Sequence, residues 1–81
     1  MRRYKVKLNI GEEVPLSVHG DFFRVISGSG QFAITPNTYH KLAGLESGMA
    51  WEARKPFTAL RFTSDVNQEI EVMIGFDRIE D

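Results

Sequence analysis

The sequence predicts an all-β protein: a small antiparallel β-sandwich or jelly-roll-like barrel of about seven short strands. Three observations predict it. Apolar and polar residues alternate in short runs, a period of two that marks a half-buried strand. Glycine, proline, asparagine and aspartate punctuate those runs at short intervals. No stretch keeps an apolar period of 3.6 residues long enough for a helix. The 81 residues allow one domain, 1–81, of a size that buries roughly 60% of its chain surface.

The strands are read in order. Tyr4 to Ile10 alternates, with Lys5 and Lys7 between Tyr4, Val6 and Leu8. Lysine on a strand discourages unwanted pairing, so this segment reads as an edge. After a turn at Gly11-Glu12-Glu13, Val14 to Val18 is a short extended piece in which Pro15 marks an edge or bulge. His19-Gly20-Asp21 turns the chain into Phe22 to Ser27, whose Phe22 and Phe23 point to opposite faces. Gly28-Ser29-Gly30 reads as a tight hairpin connection, since glycine supplies positive φ freely. Gln31 to Thr35 follows, with Phe32 and Ile34 on one side.

Pro36-Asn37 reads as a turn. Segment 38–45 fits either a short helix, with Tyr39, Leu42 and Ala43 on one face, or a strand and turn. Met49 to Arg54 is a strand containing Trp51, and Pro56 ends it. Phe57 to Phe62 and Gln68 to Ile74 then form a hairpin around Ser64-Asp65-Val66-Asn67. Ile70, Val72 and Ile74 face the core, joined by Leu60 and Phe62. Phe57 and Ala59 are thereby turned toward a second layer or another subunit. Glu69 and Glu71 stay in solvent or meet a basic partner such as the Lys5/Lys7 face.

Composition narrows the function classes. Ten basic residues balance eleven acidic ones, for a net charge of −1. A nucleic-acid surface wants a basic stripe, so no nucleic-acid partner is expected. No apolar run reaches the length of a membrane span, so no membrane partner is expected. The chain has no cysteine, which excludes disulfides, zinc-thiolate sites and thiol catalysis. Its start lacks the apolar core of a signal peptide, and synthesis and folding in the cytoplasm are expected.

No residue cluster spells out a reaction. His19 and His40 are the only histidines, widely spaced and without a His-x-His pair, so no metal and no cofactor are expected. Phe23 to Gly30 echoes the strand and glycine turn of cupin-like barrels without the ligand set. Ser17, His19 and Asp21 contain the residue types of a hydrolase triad, but they lie on one segment. A triad draws its base and carboxylate from separate elements. Gly28-Ser29-Gly30 lacks the lysine ending of a phosphate loop. Tyr39 and Trp51 read first as core or interface aromatics and second as a ligand platform. Several strands are apolar on both faces, more than so short a chain buries alone, and such surface marks a partner.

Some of these features form a longer pattern. Gly20, Phe22, Phe23 and Ser27 open it, followed by Gly44-Leu45-Glu46-Ser47-Gly48 and Trp51. Phe57, Leu60, Phe62 and Ser64 continue it, and Gln68, Ile70, Val72, Ile74 and Gly75 close it. This resembles small β proteins encoded among the structural genes of tailed and related bacteriophages. The acidic segment after Gly75 departs from the glycine-rich tail of that pattern. The resemblance implies a virion-associated structural protein, without catalysis, that decorates or cements a capsid or joins a tail or vertex complex. Its partners would be copies of itself and other virion proteins. It would be located in the virion, and in the host cytoplasm during assembly. The interface candidates are Tyr39, Trp51, Phe57, Ala59, Phe76 and Ile79. The alternative expectation is a cupin-like or lectin-like binder of a small ligand or carbohydrate, resting on the Gly28-Ser29-Gly30 hairpin and on Tyr39, His40 and Trp51.

Overall fold

In the computed structural model, which describes residues 2–76, every regular element is a strand. β1 spans Arg2–Leu8, β2 Val14–Ser27, β3 Phe32–Pro36, β4 Ala50–Ser64 and β5 Gln68–Gly75. They form one antiparallel sheet in the order β1-β5-β2-β4-β3.

Five strands replace the expected seven because two pairs merge. Val14–Val18 and Phe22–Ser27 are one strand running through His19-Gly20-Asp21. Likewise Ala50–Arg54 and Phe57–Phe62 are one strand running through Pro56. Gly20 breaks nothing; it is needed where β2 passes β5. A Cβ built on it would lie 2.5 Å from the Gly75 carbonyl oxygen, closer than real atoms approach. Pro56 sits in a register shift between Glu52 and Phe57, so its missing N–H costs no ladder bond. There four β4 residues, 53–56, face the single β2 residue Asp21.

The expected hairpin between β4 and β5 is absent. β2 lies between them and pairs with both. Gly28-Ser29-Gly30 is likewise no hairpin, because β2 and β3 are separated by β4. It is a crossover fastened from beneath by Gln68. The Gln68 Oε1 accepts from the Ser29 N–H and hydroxyl, both at 2.9 Å, while Nε2 donates to the Gly30 carbonyl at 2.8 Å.

Segment 38–45 is neither helix nor strand. It is a loop with one bridge, Leu42 to Ile34, made by two hydrogen bonds of 3.0 and 2.9 Å. Its last residue, Leu45, is buried.

The core is continuous. Phe23, Val25, Ile34, Phe57, Leu60, Phe62, Ile70 and Val72 are fully buried. Ile70, Val72 and Ile74 point inward with Val6 and Leu8 of β1, as the alternation predicts. On the opposite face Lys5 stands across from Glu71 and Lys7 across from Glu69, and Arg3 reaches Glu71 at 3.6 Å. Opposite charges at directly facing positions stabilise a strand pair modestly.

Phe57 corrects one expectation. It is in the core with Leu60 and Phe62, not on the other face. Two residues, Thr58 and Ala59, separate Phe57 from Leu60, and the β2–β4 register shifts there, with Val18 and His19 of β2 against the single Thr58. Asn37 holds the β4 side of this shift: its Oδ1 accepts from both Thr58 N at 3.0 Å and Ala59 N at 3.2 Å. Two successive N–H groups pointing one way restart the alternation in the opposite phase, which brings Phe57 inside.

Candidate functional site

A groove of about 470 Å³ lies at the first half of β4. Thr38 and Tyr39 form one side, and β4 from Trp51 to Lys55 forms the other. Its existence follows from the topology. β3 ends at Pro36, opposite Leu60, so nothing from β3 covers β4 below that point. The chain instead turns through Asn37 and Thr38. The Thr38 hydroxyl donates to the Lys55 carbonyl at 3.3 Å, tying the loop to the bulged segment.

The floor is a ladder of aromatic rings leading out of the core. Trp51 stacks near Phe57 at 6.4 Å between centroids and tilts against Phe23 at 5.5 Å. Tyr39 lies 5.2 Å from Trp51 on the outer side, and His40 lies 4.9 Å from Tyr39. Trp51 is half-buried, whereas Tyr39 remains 53% exposed. Trp51 is therefore an anchor held between core and loop, and Tyr39 is the ring presented to solvent. Aromatic pairs in tilted geometry contribute about 0.5–1.5 kcal/mol beyond area burial, enough to fix the loop's position.

Charged side chains surround this floor. Glu52 and Arg54, both exposed, stand on either side of buried Ala53, and exposed Lys55 follows. The groove thus combines tryptophan, tyrosine and arginine, the three residue types that dominate binding hot spots.

Among the interface candidates the structure brings Tyr39 and Trp51 together, and His40 with them. Phe57 lies directly below Trp51 and is fully buried, so it supports the groove without reaching a partner. Ala59 is half-buried, paired across from Ser17 and bonded to Asn37. Phe76 is 42% exposed at the end of β5, away from the ring ladder in sequence and strand. Ile79 lies outside the described residues. Ser17 and His19 are exposed while Asp21 is buried, and the register shifts after Ser17 break the common face that alternation gives them.

No protein-family model, no curated protein and no solved structure matches the chain. Among the described residues, no three histidine or carboxylate side chains converge to hold a metal ion. What the arrangement offers is contact: exposed aromatic surface, charges of both signs, and a rigid floor.

Sequence reasoning missed Thr38, Glu52, Arg54 and Lys55. The local signal for the last three was present, in the opposite charges flanking Ala53. What could not be read was that β3 stops at Pro36 and leaves this part of β4 open.

Proposed function

We propose that this chain is a non-catalytic, virion-associated structural protein of the bacteriophage type, acting by protein–protein contact through the groove at Tyr39 and Trp51. One observation carries the reading. An exposed tyrosine is held on a tryptophan anchored in the core, with charged residues of both signs around it. Binding surfaces concentrate their energy in such rigid aromatic clusters. The resemblance to small phage β proteins supplies the setting, with capsid decoration, cementing, or a tail or vertex position as the role. Its partners would be other virion proteins and copies of itself, and its location the particle, with assembly in the host cytoplasm.

The expected sandwich-like or jelly-roll-like closure belongs to this proposal too. It is supported by β1 touching β4 although β5 and β2 separate them in the sheet.

Co-sedimentation of the purified chain with phage particles lacking it tests the reading. Saturable binding that weakens on Tyr39→Ala supports it. No binding to capsid, tail or vertex assemblies from the encoding phage would overturn it.

A second reading has its own observation. The Tyr39 ring faces solvent, with His40 beside it and Glu52, Arg54 and Lys55 in reach of the groove. Sugar sites pair an aromatic face with a few polar groups in this way. A glycan screen read by Trp51 emission decides between the two.

A further inference from the structure

A strand edge presents unpaired peptide groups, and folded chains guard such edges. β1 is guarded by exposed Arg2, Arg3, Lys5 and Lys7. β3 is guarded by the Leu42 bridge at Ile34 and by Pro36, which has no N–H to offer. The first half of β2 carries Pro15 and, just beyond Ser17, a register shift. The first half of β4 is built differently. Among the described residues no strand pairs it on the side away from β2. The bulge at 53–56 adds three residues over the single Asp21 opposite. It is flanked by aromatic surface and by charges of both signs.

The order of those charges carries the argument. Glu52, Ala53 and Arg54 place an acid and a base symmetrically about a small, buried residue. In a two-fold contact, residue i of one copy meets residue j of the other, and j meets i. A two-fold axis passing at Ala53 therefore sets Glu52 of each copy against Arg54 of its partner. Both ion pairs form at once, and no like charges face each other there. Next out from the axis, Trp51 of each copy, with Tyr39 on it, is set across from Lys55 of its partner, a cation against an aromatic face. The same operation applied to β1 would bring Arg2, Arg3, Lys5 and Lys7 together, and like charges oppose that contact.

We infer that the groove is a self-association surface: two copies pair about a two-fold axis at Ala53, with reciprocal Glu52–Arg54 ion pairs beside the axis and the Tyr39/Trp51 rings outside them. The inference rests on the reading that the chain works by protein contact, and it names the occupant of that same groove. The patch is small, which places the dimer at the weak end of specific interfaces.

Sedimentation equilibrium of the full chain from about 1 µM to about 1 mM spans the affinities open to so small an interface. The expected result is a monomer–dimer equilibrium within that range. Glu52→Arg alone and Arg54→Glu alone each place like charges across the axis, so each should weaken the dimer about tenfold or more. The double variant exchanges the two charges and should restore the wild-type constant to within about threefold. Mixing the two single variants should give a heterodimer stronger than either variant's homodimer, because their altered charges are complementary. Circular dichroism of each variant below the association range confirms folding; both positions are exposed.

Three results overturn the inference: a monomer at every concentration, a dimer indifferent to either single change, or weakened singles that neither the double variant nor mixing rescues. A dimer that forms as expected but shows no affinity for particles would sink the virion reading alone. Particle binding by a chain that stays monomeric would sink this inference alone.

Discussion

Asn37 grips Ala59 from both sides of its peptide. The Asn37 N–H donates to the Ala59 carbonyl at 3.1 Å, and the Asn37 Oδ1 accepts from the Ala59 N–H at 3.2 Å. The same oxygen accepts from Thr58 N, and Nδ2 donates to the Thr58 hydroxyl, both at 3.0 Å. One side chain therefore follows the end of β3, holds β4 at the register shift and fits the phase that buries Phe57. It also fixes where Thr38 and Tyr39 begin, and so where the groove lies.

Asn37→Ala removes three side-chain hydrogen bonds at a partly solvated site, where water replaces some of them. The expected loss is about 2 kcal/mol, or roughly 10 °C in Tm for a domain of this size. Asn37→Asp keeps the two backbone-to-oxygen bonds and should lose less than half as much. Thermal melts of the three proteins check this; equal losses for both variants would show that the local β4 geometry does not depend on the acceptor oxygen.

Gly20→Ala tests the crossing of β2 and β5. The new methyl would meet the Gly75 carbonyl oxygen, a backbone atom that cannot swing away. Overpacking of this kind costs about 1–3 kcal/mol. At Gly44 the surrounding space is open and only a φ of +73° opposes a side chain, so Gly44→Ala should cost about 1–2 kcal/mol. Urea denaturation should rank Gly20→Ala as the more damaging; the reverse order would mean the crossing relaxes freely.

Gln68→Glu tests the fastening of the β2–β3 crossover. The change is nearly isosteric but removes both donors from Nε2. It sets a carboxylate oxygen against the Gly30 carbonyl, now a partner at 2.8 Å, and leaves only the Ser64 hydroxyl, now at 3.1 Å, able to donate. Losing a half-buried donor in this way costs about 1–3 kcal/mol. Chemical denaturation gives the value, and amide exchange at Ser29 should rise with it. Unchanged exchange at Ser29 would show that the crossover stands without Gln68.

Much of the sheet was legible in the sequence. The alternation of Ile70, Val72 and Ile74, the lysine-bearing edge at Lys5 and Lys7, and their acidic neighbours Glu69 and Glu71 all follow from a period of two. What failed was punctuation. Gly20 and Pro56 read as strand ends, yet one serves a close backbone approach and the other occupies a bulge where no ladder bond is lost. A register shift is a single-residue change of phase, and Asn37, which bonds β4 where one occurs, is distant in sequence from Thr58 and Ala59. The face of Phe57 was unreadable for that reason. Pairing partners were unreadable for another: β4 and β5 are adjacent in sequence and joined by a turn, yet β2 inserts between them. Of the groove, the aromatic pair Tyr39 and Trp51 was legible as candidates. Its charged rim depends on where β3 stops, which no local pattern records.

Trp51 is the sole tryptophan of the chain, so its emission reports on the groove without labelling. Two substitutions on either side of it should separate support from surface. Phe57 stacks beneath it with no exposed area, and Phe57→Ala opens a cavity in the core. That should cost about 3–5 kcal/mol, a large share of the stability of so small a domain, and should shift the emission to the red as water reaches the indole. Tyr39 covers it from outside and is already half in water. Tyr39→Ala should therefore cost about 1 kcal/mol, yet shift the emission by a comparable amount in the folded protein. Fluorescence at low temperature, where both variants remain folded, compared with their denaturation midpoints, decides the matter. If Tyr39→Ala leaves the emission unchanged, the tyrosine does not cover the indole in solution, and the groove loses the outer rung on which a partner would rest.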